Sequence, residues 1–495
     1  MRRYSVAPFS AVLVAISCCA LIAGAGPAVA GTTVAGTPAA SPAWGSAKAV
    51  PGLKALSNTG NEITALSCPA AGDCAAGGWY SRSGAQQGFV VNEVSGVWGT
   101  AHAVSGLARL NAGRDADIQS VSCATPGNCV AAGFYGIGAD STGFEHTQAF
   151  VVGEAHGTWG TAREVPGTAK LNTGTYAHVE SVSCTRPGDC SAGGFYTGKN
   201  GYSAGFLVTE SGGTWGTAET VPGTPAPTPA GNTQILSVSC TAPGDCGASG
   251  ASLGEAIVVT QKAGVWGQAE VIPGIKKLTP DGAGAVAASV SCRSAGNCTT
   301  GGWYDPGPAF STTVDSQVFV ATETSGTWGT AQEVPGSAKL NAAKSANLYS
   351  VSCASPGNCS AGGTYASSSL NDSYRNQAFV VNETGGKWGN AEEVPGTASL
   401  NAKNNAQVNV VSCPSAGNCS AGGYYTDAHF KTQAFVVDES GGKWESAKEV
   451  PGSGKLNAGG YAQVASLSCP SASSCAAGGY VQTAGIEPEA FVVSR

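Results

Sequence analysis

The chain contains 495 residues, of which 72 are glycine and only 12% are charged. This composition suits a β protein rich in turns and argues against a helical or a disordered chain. The formal net charge is −7, and no Lys/Arg-rich stripe is present, which argues against a surface for nucleic acid or for an anionic membrane.

The N-terminus has the features of an export signal. Arg2 and Arg3 precede a largely apolar stretch from Ala11 to Ala23, and residues 28–30 (Ala-Val-Ala) offer a cleavage site. We therefore expect a signal peptide at residues 1–30, a flexible N-terminal segment at 31–43 and a secreted, extracellular protein. No later stretch is long and apolar enough to cross a bilayer, so we expect no membrane span.

Residues 44–495 consist of eight variants of one repeat, about 57 residues long. Each repeat has four short segments rich in β-branched and aromatic residues, separated by Gly, Pro or Asn, which predicts four antiparallel strands. In the seventh repeat these are the segment before Cys413, Ala421–Tyr425, Gln433–Val437 and Trp444–Val450. Eight such units without a linker predict an all-β fold, an eight-bladed β-propeller of four-stranded antiparallel blades.

The two ends of the repeat region predict how the ring closes. Residues 44–52 (WGSAKAVPG) match a fourth strand that has no first three strands before it, and residues 490–493 (AFVV) match a third strand with no fourth after it. The N-terminal strand can therefore complete the last blade, which removes an exposed sheet edge.

Sixteen cysteines follow Cys18 and Cys19 of the leader, and they form eight pairs with five residues between the partners. An even count in an exported chain predicts disulfides, one in each blade, across the turn between the first and second strands. A zinc site would need four ligands and commonly a shorter spacing, and no His recurs with the repeat, so we predict no metal and no cofactor. The predicted pairs are Cys68/Cys74, Cys123/Cys129, Cys184/Cys190, Cys240/Cys246, Cys292/Cys298, Cys353/Cys359, Cys413/Cys419 and Cys469/Cys475.

The segments at residues 381–388 (VNETGGKW) and 208–215 (VTESGGTW) resemble the Asp-box hairpin of sialidase-like propellers. That resemblance implies a structural hairpin between the third and fourth strands, although Glu383 and Glu210 stand where Asp is expected, and Val381 and Val208 where Ser or Thr is usual. The repeat as a whole, over residues 44–495, also resembles uncharacterised secreted repeat proteins of high-GC Gram-positive bacteria. This second resemblance implies no activity.

Two recurrent sets of residues are candidates for ligand binding. Aromatic residues end the second strands, beside connections that vary between repeats, and variable loops on a rigid scaffold often bind ligands. The alternative is that these rings pack beneath the loops. The aromatic candidates are Trp79, Tyr80, Phe134, Tyr135, Phe195, Tyr196, Trp303, Tyr304, Tyr424 and Tyr425.

The second set is an Asn that recurs after the fourth strand, on the same face as the variable connections. A ring of Asn side chains near the axis could bind a ligand, and capping of a local turn is the alternative. These residues are Asn111, Asn172, Asn341, Asn401 and Asn457.

The sequence thus predicts a binding or interaction module that uses one loop face. The expected partner is an extracellular glycan or a surface protein, because aromatic rings with Asn, Ser and Thr suit sugar stacking and hydrogen bonding. We expect a monomer, and we identify no catalytic residue, so the sequence leans away from an enzyme. The alternatives are a structural protein of the cell envelope and a glycan-cleaving hydrolase or lyase. Such an enzyme would use unrepeated acids such as Asp305, Asp315, Asp372 or Asp427, and it should show one or two blades with clustered acids or His.

Overall fold

The computed structural model describes residues 42–139, 145–227, 232–280, 284–307, 315–370 and 373–495. The predicted signal peptide (1–30) and residues 31–41 of the predicted flexible segment lie outside the described residues. Eight antiparallel sheets form the fold; in seven of them the strands pair in chain order, and the eighth takes its outer strand from the N-terminus. The predicted all-β, eight-bladed propeller is confirmed.

The strands occupy equivalent places in each blade. The first strands, which pack against one another around the axis, are Asn61–Ala70, Ala116–Thr125, Ala177–Arg186, Thr233–Ala242, Ala285–Ser294, Ala346–Ser355, Ala406–Ser415 and Ala462–Ser471. The second strands are Asp73–Arg82, Asn128–Ala139, Asp189–Thr197, Asp245–Ser252, Asn297–Tyr304, Asn358–Leu370, Asn418–Thr426 and Ser474–Gln482. The third strands are Ala85–Val94, Glu145–Ala155, Ser203–Ser211, Glu255–Lys262, Gln317–Thr324, Ser373–Thr384, Thr432–Ser440 and Pro488–Ser494.

The fourth strand differs from the continuous strand that the sequence predicts, because seven blades have it in two pieces. The pieces are Val97–Trp98 and His102–Ala103, Thr158–Trp159 and Arg163–Glu164, Thr214–Trp215 and Glu219–Thr220, Val265–Trp266 and Glu270–Val271, Thr327–Trp328 and Gln332–Glu333, Lys387–Trp388 and Glu392–Glu393, and Lys443–Trp444 and Lys448–Glu449. A backbone N–H at the interruption hydrogen-bonds to a residue outside the blade. In blade 1 the Ala101 N–H donates to the Pro51 carbonyl of the preceding connection at 2.8 Å, and the equivalent bond is present in all eight blades at 2.6–2.8 Å. The strand breaks because this N–H joins neighbouring blades.

The N-terminal strand Lys48–Ala49 closes the ring as predicted. Lys48 pairs with Val492 and Ala49 with Phe491, which adds the fourth strand to blade 8. Trp44 Nε1 donates to Asp438 of blade 7 at 3.2 Å, and the buried guanidinium of Arg495 lies 2.7 Å from the same carboxylate. The two ends of the ring therefore meet at one buried carboxylate.

Serine hydroxyls of the first strands hold consecutive blades together. The Cys123 N–H donates to Ser67 Oγ of the preceding blade, and the equivalent bond occurs at all eight blade junctions at 2.9–3.0 Å. A second serine, two residues earlier, makes a similar bond at six junctions, and the other two have Ala65 or Val410 at that position. Each such bond contributes about 1 kcal/mol to the free energy of unfolding, so the serines of the recurrent Ser-Val-Ser-Cys sequence stabilise the junctions between blades.

All eight predicted disulfides are present, with Cα–Cα distances of 3.9–4.1 Å. Each bridge links the first and second strands next to their turn. The local pairing predicted from the spacing is therefore confirmed. The bridges are Cys68–Cys74, Cys123–Cys129, Cys184–Cys190, Cys240–Cys246, Cys292–Cys298, Cys353–Cys359, Cys413–Cys419 and Cys469–Cys475.

The second cysteine of every bridge is buried in the blade, which the spacing alone did not reveal. These residues are 2–6% exposed, and they are Cys74, Cys129, Cys190, Cys246, Cys298, Cys359, Cys419 and Cys475. Their sulfur atoms contact the preceding blade, since Cys359 Sγ lies 3.5 Å from Thr299 Oγ1 and Cys419 Sγ lies 3.2 Å from Ser360 Oγ. The bridged cysteines are therefore structural residues of the blades, and we do not count them among the ligand-binding candidates.

The Gly-Gly step in the second strand has a steric cause. In blade 1 the first strand bulges between Ile63 and Ala65, opposite Gly78. A Cβ on Gly78 would lie only 1.9 Å from the Glu62 carbonyl oxygen, so only glycine fits. The preceding Gly77 is less restricted, because blade 2 has the buried Ala132 at that position.

The repeat pattern gives no sign of the single-turn helices that lie between blades. Each begins after a glycine with a φ of 76–92° and contains four residues, too few to show a 3.6-residue period. The helices of the described residues are Leu53–Leu56, Leu107–Leu110, Thr168–Leu171, Ile275–Leu278, Ser337–Leu340, Thr397–Leu400 and Ser453–Leu456. No helix in this part of the chain is long and apolar enough to cross a bilayer.

Candidate functional site

The ring has two different faces. We call one the disulfide face, because it carries the disulfide-bridged turns and the hairpins between third and fourth strands. We call the other the loop face, because it carries the connections between second and third strands, the short helices and the beginnings of the first strands. The first strands are innermost, so their first residues lie at the axis on the loop face.

Two side-chain positions per blade meet at this axial end. The second residue of each first strand pairs with the first residue after the Gly-Gly step of the second strand, as Glu62 does with Trp79. We call the side chains at these positions, together with the bulge residue two positions further along, the axial site. Its first-strand members are Glu62, Asp117, His178, Gln234, Val286, Asn347, Gln407 and Gln463. Its second-strand members are Trp79, Phe134, Phe195, Ala251, Trp303, Thr364, Tyr424 and Tyr480. The bulge residues are Thr64, Gln119, Glu180, Leu236, Ala288, Tyr349, Asn409 and Ala465.

The strand register divides the ten predicted aromatic residues into two groups of five. Trp79, Phe134, Phe195, Trp303 and Tyr424 belong to the axial site and are half-buried. Tyr80, Tyr135, Tyr196, Tyr304 and Tyr425 point to the opposite side of the sheet and are buried in the core.

The core tyrosines have structural partners. The Tyr135 hydroxyl donates to Glu164 at 2.7 Å, and the Tyr304 hydroxyl donates to Glu333 at 2.6 Å. The acceptors lie on the fourth strand, so each bond joins the second and fourth strands across the blade. This is the packing role that the sequence analysis gave as the alternative, and we therefore do not include the core tyrosines in the proposed site.

The five predicted Asn residues are buried and connect consecutive blades. Asn111 Nδ2 donates to the Gln86 carbonyl of the preceding blade at 2.8 Å, and the other four Asn residues (172, 341, 401 and 457) make the equivalent bond at 2.8–3.0 Å. Asn111 Oδ1 accepts from the Asp115 and Gly136 N–H groups. Because these amides are engaged with the backbone, we do not carry them into the proposed site.

The axial site contains acidic residues that sequence reasoning missed. Glu62 is half-buried and hydrogen-bonded to Trp79 and Gln463, and burial raises its pKa to about 7. Asp117 of the next blade is buried, with 8% of its surface exposed, and its Oδ2 accepts from Gln119 at 2.8 Å. Burial, followed by the nearby Glu62 carboxyl, raises the pKa of Asp117 well above its usual range. The Asp117 Oδ1 atom is buried without a hydrogen-bond partner.

Blade 3 adds a histidine held between aromatic rings. His178 stacks on Phe134 of blade 2, with ring centroids 4.1 Å apart, and lies 5.0 Å from the Phe195 ring. Its Nε2 atom is 2.9 Å from Thr147 Oγ1, and burial lowers its pKa to about 4, so the ring is neutral at pH 7. Glu180 lies 3.9 Å from His178 Nδ1, and burial raises the pKa of this carboxyl.

Blades 6 to 8 contribute tyrosines and amides in place of acids. Tyr461, which precedes the first strand of blade 8, stacks on Tyr480 at 5.6 Å and lies 6.4 Å from the Tyr424 ring of blade 7. The Tyr480 hydroxyl is close enough to Glu62 for that carboxyl to contribute to its raised pKa, behind the larger effect of burial. These contacts form an arc from blade 7 through blade 8 to blade 1. Tyr349 of blade 6 contributes, behind burial and Tyr461, to the raised pKa of Tyr424, and its ring lies 6.3 Å from the Trp303 ring of blade 5.

The unrepeated acids named from the sequence do not join this arc. Asp315 makes a 2.9 Å ion pair with Lys344, and Asp305 accepts from the Gly307 N–H. Asp427 accepts from the N–H groups of residues 429 and 431, which caps its own loop. Asp372 lies outside the described residues.

The disulfide face also has clefts, which lie between neighbouring blades. The cleft between blades 2 and 3 has a volume of about 470 Å³ and contains the buried carboxyls of Glu154 and Glu210. Burial raises the pKa of both groups. Both occupy the penultimate position of the third-strand motif, which is Glu in six blades, so these clefts belong to the common repeat. No group of three or more His, Cys, Asp or Glu that could hold a metal occurs in the described residues.

No protein-family profile matches the chain, and a search among curated proteins finds no match. Among solved structures, the chain is similar to a polysaccharide lyase, the PL25 ulvan lyase, with 12% identity and a TM-score of 0.43 over 88% of this chain and 94% of that one. It is also similar to the Hadza microbial sialidase Hz136, with 10% identity and a TM-score of 0.35 over 70% of this chain and 68% of that one. Sqt1 from Chaetomium thermophilum has 13% identity and a TM-score of 0.41 over 73% of this chain and 79% of that one. At these values the similarity carries no information about activity.

Proposed function

We propose that this protein is a secreted monomer that binds extracellular carbohydrate at the axial site of its loop face. The observation that carries the proposal is the arc of half-buried aromatic rings that alternate with amide and carboxyl side chains around the axis. Sugars present apolar faces that stack on aromatic rings and hydroxyl groups that bond to amides and carboxyls. A site with both kinds of group, carried by a rigid ring, suits such a ligand.

The stacking surfaces of the site are not equivalent. Phe134 is covered on one face by His178, whereas among the described residues Trp79, Trp303 and Tyr424 are half-buried and the rings nearest to Trp303 and Tyr424 are tilted rather than stacked. The amides lie mainly on blades 6 to 8, where Gln407 Nε2 donates to Asn409 Oδ1 at 2.6 Å. We therefore place the sugar rings over Trp79 and Tyr424, on either side of blade 8.

The eight disulfides support an extracellular location, because such bridges persist in oxidising compartments. Short bridged turns on one face also resist local opening.

A second candidate function, glycan cleavage, is favoured by one specific observation. The acids of the axial site and its His are confined to blades 1 to 3, which is the clustering that the sequence analysis expected of an enzyme. A carboxyl with a pKa of about 7, as in Glu62, can serve as a general acid near neutral pH. Glycosidases use such a carboxyl together with a second one that is ionised; Asp117 lies in the next blade, but burial raises its pKa, which weighs against this role.

A glycan-array screen of the oxidised protein from residue 31 onward, with mass spectrometry of the bound glycans, tests the proposal. Binding without new products supports the binding module. Product formation that is lost in Glu62→Gln but kept in Glu219→Gln, an exposed outer-strand control, supports the cleaving enzyme instead. If no glycan binds and a surface protein does, the carbohydrate proposal is wrong.

A further inference from the structure

We propose that the axial site recognises a positively charged amino group on its ligand, so that the preferred carbohydrate is an amino sugar with a free ammonium group. The proposal deepens the function proposed above and rests on it. It comes from the uneven distribution of charge around the axis, a feature that is separate from the aromatic stacking surfaces.

The acids of blades 1 to 3 form what we call the acidic pole, namely Glu62, Asp115, Asp117 and Glu180. Glu62 of the preceding blade and Asp115 both help to raise the pKa of Asp117, behind the larger effect of burial, and Glu180 occupies the bulge position of the next blade. The pole is therefore a series of acids on three neighbouring blades at the loop-face end of the axis, and within it Asp117 and Glu62 repel each other when both are ionised.

No cationic side chain offsets this charge within the described residues. The ion pairs of the described residues join no Lys or Arg to Glu62, Asp117 or Glu180, and His178, which lies next to Glu180, is neutral at pH 7. Arg114, which is close in sequence, is exposed and donates from Nη2 to the Ser83 carbonyl in a loop. Its guanidinium is therefore engaged away from the pole.

The second, independent observation is the Asp117 side chain. It is more than nine-tenths buried, yet its Oδ1 atom has no hydrogen-bond partner. Its strand partner in the register is Phe134, so the carboxyl lies on the axial side of the blade beside that ring. A buried acceptor without a donor is unfavourable, and a ligand ammonium group would supply the missing donor.

The aromatic rings at the pole suit the same ligand. A cation close to an aromatic face is attracted by the ring quadrupole, and Trp is the best such partner. Trp79 hydrogen-bonds to Glu62 and is the register partner of that residue, so one indole lies next to the carboxylate end of the site. An ammonium group there would contact both a carboxylate and an indole.

Amino sugars allow the effect of the ammonium charge to be tested apart from that of the sugar ring. N-acetylation removes the ammonium charge but keeps the sugar ring and its hydroxyl groups. A deacetylated glucosamine oligomer and its N-acetylated counterpart of equal length therefore differ in the feature that the acidic pole would recognise. A lysine-containing peptide carries the same ammonium group without the sugar.

The test is calorimetric titration of both hexamers and of a short lysine-rich peptide at pH 7 and low salt, where a substantial fraction of the Glu62 carboxyl, with its pKa of about 7, is ionised. The proposal predicts that the deacetylated hexamer binds at least about tenfold more tightly than the N-acetylated one. Glu62→Gln and Asp117→Asn should each move this affinity ratio towards one, and the exposed Glu219→Gln should leave it unchanged. The use of two pole variants guards against a folding defect in either one.

Each other outcome has a separate meaning. Equal affinity for the two hexamers would overturn the amino-group proposal and leave carbohydrate binding intact. If the peptide bound and neither hexamer did, the amino sugar would be the wrong ligand and the carbohydrate proposal would fail with it. An affinity ratio that survives both pole substitutions would show that another part of the molecule recognises the charge.

Discussion

Replacing Arg495 with methionine should weaken the closure of the ring. The guanidinium is 2% exposed and lies 2.7 Å from Asp438 Oδ2, and its carbon atom is 5.1 Å from the Trp44 ring centre. Its Nη2 atom also donates to Ser420 Oγ at 2.9 Å. Methionine preserves much of the volume but leaves the Asp438 carboxylate buried without its cation.

The expected cost follows from that uncompensated charge. Removal of one partner from a buried ion pair typically costs about 3 to 5 kcal/mol. With an unfolding entropy of about 2.1 cal/mol/K per residue over roughly 450 residues, this lowers the melting temperature by about 3 to 5 °C. Scanning calorimetry of the oxidised protein measures the shift.

A matched control uses Arg186→Met, because Arg186 is 66% exposed and pairs with Asp189 at 3.6 Å on the surface. Exposed pairs contribute about 0 to 1 kcal/mol, so this variant should shift the melting temperature by about 1 °C or less. The double variant Arg495→Met/Asp438→Asn should recover part of the loss, because it removes the unpaired charge. If Arg495→Met melted like the control, the ends of the ring would not depend on this contact.

Three further predictions concern the repeat itself. Gly78→Ala should destabilise blade 1 far more than Gly77→Ala, because only the former puts a Cβ 1.9 Å from a backbone oxygen. Thermal melts of the two variants measure this, and equal melting temperatures would contradict it. Glu439 is 3% exposed, and burial raises its pKa to about 7 from the usual 4.5. Its contribution to the free energy of unfolding is therefore complete below pH 4.5 and is lost as the pH rises through 7. The total loss is about 3 kcal/mol. Glu439→Gln should flatten the fall in denaturant midpoint over that range, and an unchanged pH profile would refute the assignment. Replacing the Cys68–Cys74 pair with serines should cost about 2.4 kcal/mol or less, since the bridge closes a short loop that is already biased to turn; a larger loss in urea titration would show that the bridge does more than restrict the unfolded chain.

Much of the fold could be predicted because its signals repeat. The Pro-Gly turns, the cysteine pairs and the unmatched strands at residues 44–52 and 490–493 each constrain the same ring. The broken fourth strand could not be predicted, because the break depends on a carbonyl in the connection from the preceding blade, as with Ala101 and Pro51. Local propensity contains no information about that partner.

The candidate site was predicted only in part, for a related reason. The repeated aromatic residues stood out, but half of them face the core, and only the register that pairs Glu62 with Trp79 separates the two groups. Glu62, Asp117 and His178 each occur once at equivalent positions, so they carry no periodic signal. An alignment of the eight repeats on the residue before the buried Ile63, Ile118 and Val179 of the first strands would have revealed them.

The most direct test of the central claim is a calorimetric comparison of axial and peripheral aromatic variants with the best glycan from the array. Trp79→Ala and Tyr424→Ala remove rings of the axial site, and Phe430→Ala removes a ring that is 74% exposed on a loop of the same face. The account predicts that each axial variant binds at least about tenfold more weakly, as is common for a central aromatic contact, while Phe430→Ala binds like the unmodified protein. Unchanged affinity in both axial variants, or a loss confined to Phe430→Ala, would contradict the placement of the site at the axis.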